Sequence, residues 1–143
     1  MYYIKTIMKN TIFKLLEYLY YFSLVSLFIL YLFPGSLIGY YLYGNLGKQP
    51  DLISNPIGTS INHLISFMCL SSLAFITRVR VRKFINSFQF LFFTSILLET
   101  LHYFIPNRAF EYYDLFANLA GVIIAYFFIK LILKITIKKY ENI

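Results

Sequence analysis

The sequence has no tryptophan, one cysteine and two histidines among its 143 residues. The lone Cys69 excludes an internal disulfide, and two histidines exclude a His-rich or Cys-rich metal framework. Charge is scarce as well. Asp, Glu, Lys and Arg together make up 13%, about half their share in an ordinary soluble domain. The patterns G-x-x-x-x-G-K-[ST], H-E-x-x-H and G-x-S-x-G are absent, so the chemistry they serve has no local signature here. The many short alternating segments of an outer-membrane barrel are missing too.

What is present is apolar. Hydrophobic residues reach 59% and Tyr plus Phe 21%. A soluble domain of this length has too little interior for that surface, and a disordered chain has the opposite composition. The length fits one domain. The expected fold is all-α: a polytopic membrane helical bundle with four transmembrane helices. A helix needs about 20 mostly apolar residues to cross about 30 Å of hydrocarbon. Four stretches qualify or nearly so: Leu15 to Phe33, Ile61 to Thr77, Phe84 to Ile105 and Tyr112 to Leu133. The first is longer than a signal-peptide core and no A-x-A pattern follows, so it reads as an uncleaved helix. Between the first two spans, Leu37 to Tyr43 is aromatic but too short to cross, and is expected at the interface or dipping back. Gly44 to Ser60, which holds Asp51, reads as loop.

Lys and Arg set the orientation. Lys5, Lys9 and Lys14 precede the first span. Arg78, Arg80, Arg82 and Lys83 lie between the second and third. Lys130, Lys134, Lys138 and Lys139 end the chain. The other links hold only Lys48 and Arg108. Both termini and the second link are therefore expected on the cytoplasmic side of the inner membrane. Clusters spread between apolar runs do not form the basic face that nucleic acid requires, so no nucleic-acid partner is expected.

Of six acidic residues, Glu99, Glu111 and Asp114 fall close together, with His102 and Arg108 among them. Glu99 lies seven residues before Pro106, about 10 Å inside its helix end. A carboxylate at such depth costs on the order of 2.5–3.5 kcal/mol unless protonated, paired or wet. His102 shares its face. In the fourth span Asp114, Asn118, Gly121 and Ala125 recur on one face. Ala117, Gly121 and Ala125 give the small-residue spacing that lets membrane helices approach, and the expected partner is the third span. His63 opens the second span at the same outer level. His63, Glu99, His102, Arg108, Asp114 and Asn118 are thus the candidate binding residues. A single Glu99-x-x-His102 falls short of the two Glu-x-x-His motifs of a carboxylate-bridged metal site, so no metal or other cofactor is expected. The same pair has the makings of an acid–base couple, though no nucleophile stands beside it.

Asn62-His63 with Phe67, then Glu99, Pro106, Arg108, Asp114, Asn118 and Gly121, resemble the pattern of the VanZ-like family of small bacterial membrane proteins. Ile105 to Gly121 is the most telling stretch, and the resemblance covers about residues 60–125. Ile61-Asn62 stands where the family usually has aspartate-lysine, and His102 where a glutamine is usual. The named member is associated with tolerance to teicoplanin, a lipid-bearing glycopeptide acting outside the cytoplasmic membrane. The resemblance implies a role with an envelope lipid or lipid-linked precursor.

Three readings follow. The first is a non-enzymatic protein that recognises a lipid-linked or amphiphilic envelope molecule at the outer leaflet, with Arg108 on an anion and Glu99 and Asp114 orienting Arg108 and His63. The second is a membrane-embedded enzyme using Glu99 and His102. The third is a polar seam that only holds helices together. Membrane lipids are the expected partners, and the sequence points to no particular protein partner.

Overall fold

The computed structural model describes residues 2–50 and 60–141, with side chains for residues 10–50 and 60–136. Asp51, and the side chains of Lys5, Lys9, Lys138, Lys139 and Glu141, lie outside the described residues. Five α-helices follow in order: α1 (Tyr2–Leu32), α2 (Leu37–Tyr43), α3 (Ser60–Arg78), α4 (Phe88–Leu101) and α5 (Tyr112–Glu141). Among the described residues there is no strand.

Three helices are long and apolar enough to cross a membrane, over Asn10–Leu32, Ser60–Arg78 and Tyr112–Thr136. The third expected span differs. It is broken near its start, where a 3-10 turn (Phe84–Asn86) gives way to Ser87. The Ser87 hydroxyl accepts the Phe90 N–H and caps α4, which is the usual work of serine at a helix start. At the other end α4 stops at Leu101, short of the turn that carries Pro106 and Asn107. Its 14 residues reach about 21 Å, well under the hydrocarbon thickness.

The short apolar stretch after the first span is helical. Ser36 caps α2 by accepting the Gly39 N–H at 2.9 Å. Gly44, at φ 66°, closes it with its N–H on the Tyr40 carbonyl. The left-handed backbone there suits glycine. Tyr40, Tyr41 and Leu42 of α2 are exposed.

The long helices alternate in direction. At one end Lys83 pairs with Glu17 at 2.9 Å and Arg80 bonds Asn10, so the start of the described α1 meets the end of α3. Lys130 and Lys134 of α5 lie toward this end too, Lys130 over the Tyr126 ring. At the other end Tyr31 of α1 meets His63 of α3 and Asn118 of α5. Between them Tyr20, Leu24, Phe67, Leu70, Leu91, Leu98, Val122 and Ile129 form the core. Large apolar side chains also cover the outside, among them Phe22, Phe93, Phe116, Phe127 and Leu131. That arrangement suits hydrocarbon surroundings rather than water.

The small-residue stripe packs differently from expectation. Gly121 lies against α3: a Cβ there would sit 2.6 Å from the Leu64 carbonyl oxygen and 2.9 Å from the Met68 nitrogen. Ala125 is fully buried and Ala117 half-buried on the same helix. The expected partner, the third span, corresponds to α4, but the backbone that comes closest to Gly121 is that of α3.

Candidate functional site

The six residues selected from the sequence occupy one end of the bundle. His63 is in the first turn of α3, Glu99 in the last turn of α4, and His102 just beyond it. Asp114 is in the first turn of α5, Asn118 one turn on, and Arg108 in the link between α4 and α5. His63, Glu99, His102, Asp114 and Asn118 are all buried, Glu99 and Asn118 to zero exposure.

Glu99 is the centre. Its carboxylate meets His102 Nδ1 at 3.3 Å and His63 Nδ1 at 3.7 Å. It accepts the Asn118 amide at 3.4 Å and the Glu111 backbone N–H at 3.2 Å. The desolvation cost of a carboxylate at this depth is thus offset by donors from three separate segments. Asp114 holds the other side of His63, with Oδ2 3.3 Å from Nε2. Its second oxygen accepts the Ser60 hydroxyl at 2.5 Å. An acid in the first turn of α5 also complements the helix dipole.

Tyr31 is the residue that sequence reasoning missed. Its hydroxyl donates to the Asn118 amide oxygen at 2.7 Å and contacts His63 Nδ1 at 2.9 Å. Its ring stacks on His102 at 5.6 Å and meets Phe67 edge-on. Its backbone carbonyl accepts from His102 Nε2 at 3.2 Å. One side chain of α1 thereby ties together α3, α5 and the segment after α4. Fourteen tyrosines in the chain gave no reason to single this one out. The only sequence cue is its place in the last turn before Pro34-Gly35. Ser60 was missed for the same reason, as one serine among many.

The donor directions constrain the protons. The Tyr31 hydroxyl has one hydrogen, and with Asn118 so oriented it is spent on the amide oxygen. His63 Nδ1 therefore donates to the phenol, and His63 Nε2 faces Asp114 Oδ2. His102 Nε2 donates to the Tyr31 carbonyl, and its Nδ1 faces Glu99 Oε1.

Arg108 stands apart from that network. It folds back as expected, but onto α1: Nε donates to the Phe33 carbonyl at 3.3 Å and Nη2 to the Leu30 carbonyl at 2.6 Å. The open carbonyls at a helix C-terminus attract such a cation. Neither Glu99 nor Asp114 touches the guanidinium, in contrast with the expectation that they would orient it. Partial burial lowers the Arg108 pKa, against an opposing pull from Tyr31, Glu99 and Asp114. An arginine stays charged under such a shift. Glu111, just before α5, has its pKa raised by burial and by the neighbouring Asp114 and Glu99.

Arg108, His63 and His102 face a cavity of about 250 Å³. Its remaining walls are mixed. Leu30, Leu37, Ile38 and Leu42 are apolar, and Ser36, Gln49, Asn62 and Ser66 are polar. A cavity with apolar walls and a few convergent polar groups is the usual form of a small-ligand site. Arg108 Nη1 has no hydrogen-bond partner among the described residues. Glu99, Asp114 and Asn118 lie behind the cavity and support the imidazoles that line it.

His63, Glu99 and Asp114 also bring one ligand atom each within 4.8 Å of one another. A histidine with two carboxylates is a competent donor set for a divalent metal. Its members come from three helices, so the Glu99-x-x-His102 spacing carries no information about it.

No curated protein and no solved structure matches the chain. The sequence model of one family does match, over residues 2–133, which takes in α1 with Tyr31 as well as all six polar positions. The chain belongs to the VanZ/LLP1 family.

Proposed function

We propose that this VanZ/LLP1 protein is a non-enzymatic multi-pass protein of the inner membrane that binds the polar head of a lipid-linked or amphiphilic envelope molecule. The observation that carries this reading is the cavity. Its apolar wall comes from α1 and α2, and its polar wall from His63, His102 and Arg108. Such a surface suits a molecule with a polar or anionic head joined to a hydrocarbon part. Arg108 supplies the fixed charge, since Nε and Nη2 are held by the Phe33 and Leu30 carbonyls at the end of α1 and Nη1 is left for the ligand. His63 and His102 are held by Asp114 and Glu99, so the polar wall is set before the ligand arrives, which lowers the ordering cost of binding.

In the cell both termini face the cytoplasm and the cavity opens toward the outer leaflet, following the basic residues at the opposite end of the bundle. An envelope precursor or an amphiphilic glycopeptide such as teicoplanin would be met on that side, and tolerance to teicoplanin is the physiological extension of this reading.

One observation favours a second reading, a membrane-embedded enzyme on a lipid-linked precursor. Glu99 touches both imidazoles that line the cavity, so Glu99 with His102 would serve as the acid–base pair. Against it, both His102 nitrogens already have protein partners.

The test is mass spectrometry of the amphiphiles that co-purify with the native protein and with Arg108→Ala. Binding predicts one class enriched over bulk lipid and lost in the variant. Identical lipid profiles would refute it. Conversion of the enriched class by the native protein but not by Glu99→Gln would move the assignment to the enzyme.

A further inference from the structure

The cavity continues beyond the cluster. Leu30, Tyr31 and Ser66 also line a second space of about 250 Å³ between α1 and α3. Small side chains line it from both helices, Ser23 and Ser26 on α1 and Ser66 and Cys69 on α3, and leave the space between larger neighbours unfilled. Serines at membrane-helix interfaces commonly bond across them. The hydroxyls of Ser23, Ser26 and Ser66 make no hydrogen bond with the described residues. They leave room instead of closing the interface. The crevice is otherwise apolar, and Phe22, 71% exposed, stands at its far end. From Leu30 to Phe22 is about 12 Å along α1.

We infer that this crevice holds one hydrocarbon chain of the amphiphile whose head occupies the cavity. The inference rests on the reading that the cavity takes a polar head. It adds the chemical class: an anionic molecule carrying at least one alkyl chain. The chain runs between α1 and α3, with its head at Arg108. Three features converge. The two spaces share Leu30, Tyr31 and Ser66. Only the head end carries a cation. The chain end is mostly apolar and reaches the exposed Phe22. Hydrocarbon surroundings would let the chain enter from the side. For a probe that comes from water, each methylene buried in the crevice strengthens binding by up to about fourfold, until the chain outruns it.

The experiment uses the full chain in detergent, with native mass spectrometry of butyl, octyl and dodecyl phosphate and of inorganic phosphate. The expected result is affinity that rises from butyl to octyl and then levels. Ser26→Phe, which fills the crevice without touching the cavity, should weaken octyl phosphate at least tenfold and leave butyl phosphate within twofold. Affinity independent of chain length, or octyl binding unchanged in Ser26→Phe, overturns the crevice and leaves the cavity reading standing. Binding of every probe unchanged in Arg108→Ala overturns the cavity reading and the inference with it. Should Ser26→Phe fail to fold, the native Cys69 reports instead. Octyl phosphate should slow its alkylation by N-ethylmaleimide at least threefold, and inorganic phosphate should not. Equal rates with both overturn the crevice.

Discussion

The Tyr31 hydroxyl donates to the Asn118 amide oxygen at 2.7 Å, which joins the first long helix to the last across 87 positions of sequence. The same oxygen contacts His63, so one phenol ties three helices at the end where the acidic residues gather.

Tyr31→Phe should therefore destabilise the bundle while preserving its ring packing. It leaves buried groups on His63 and Asn118 unpaired, at about 1–3 kcal/mol. Thermal unfolding in detergent should show a midpoint lowered by several degrees. An unchanged midpoint would mean the hydroxyl is not a tie.

Gly121→Ala tests the packing of α5 on α3. The new Cβ would meet backbone atoms at 2.6 and 2.9 Å, and backbone cannot rotate away as a side-chain tip can. Overpacking of this kind costs about 1–3 kcal/mol. Gly47→Ala, where the nearest atom is a side-chain oxygen at 3.4 Å, should leave the unfolding midpoint unchanged.

Glu111 gives a pH dependence with a definite sign. Its folded pKa is raised, by burial first and then by Asp114 and Glu99. A raised carboxyl pKa means the folded state binds the proton more tightly, so its contribution favours folding at low pH and is lost as pH rises through the folded value. Glu111→Gln should raise the unfolding midpoint at neutral pH, and the gain should vanish below the ordinary carboxylate range. A variant that gains nothing at neutral pH, or gains more as pH falls, would contradict the cause assigned here.

Orientation is open to direct labelling. Ala109→Cys in a Cys69→Ser background should react with a membrane-impermeant maleimide in intact cells. Ala109 is preferred over Asn107, whose φ of 58° disfavours cysteine. Reaction only after cell rupture would reverse the topology and move the cavity to the inner leaflet.

Much of the fold was legible because hydropathy reads long apolar helices well. Three spans fall close to where composition puts them. The third lies where expected but is shorter, since Phe84 to Ile105 is apolar throughout and only the Ser87 cap and the turn after Leu101 trim it to α4. Local capping chemistry lies below the resolution of an apolar count. The candidate residues were legible because polar side chains are rare in this chain and cost energy where they occur. Their partners were not. A small-residue stripe shows that Gly121 needs a close neighbour, and tertiary packing alone decides that the neighbour is Leu64 and Met68 of α3. Arg108 looked destined for the carboxylates, yet the open carbonyls of Leu30 and Phe33 took it. Tyr31 was hidden by the abundance of tyrosine.

The central claim is that the polar end of the bundle holds a ligand. Native mass spectrometry of the protein in nanodiscs, with lipid and metal analysis, tests it most directly when run beside the Glu99→Gln, Arg108→Ala double variant. The account predicts a specific amphiphile retained by the native protein and absent from the variant. The same bulk lipids on both would contradict it and leave Glu99, His63 and Asn118 as a packing seam.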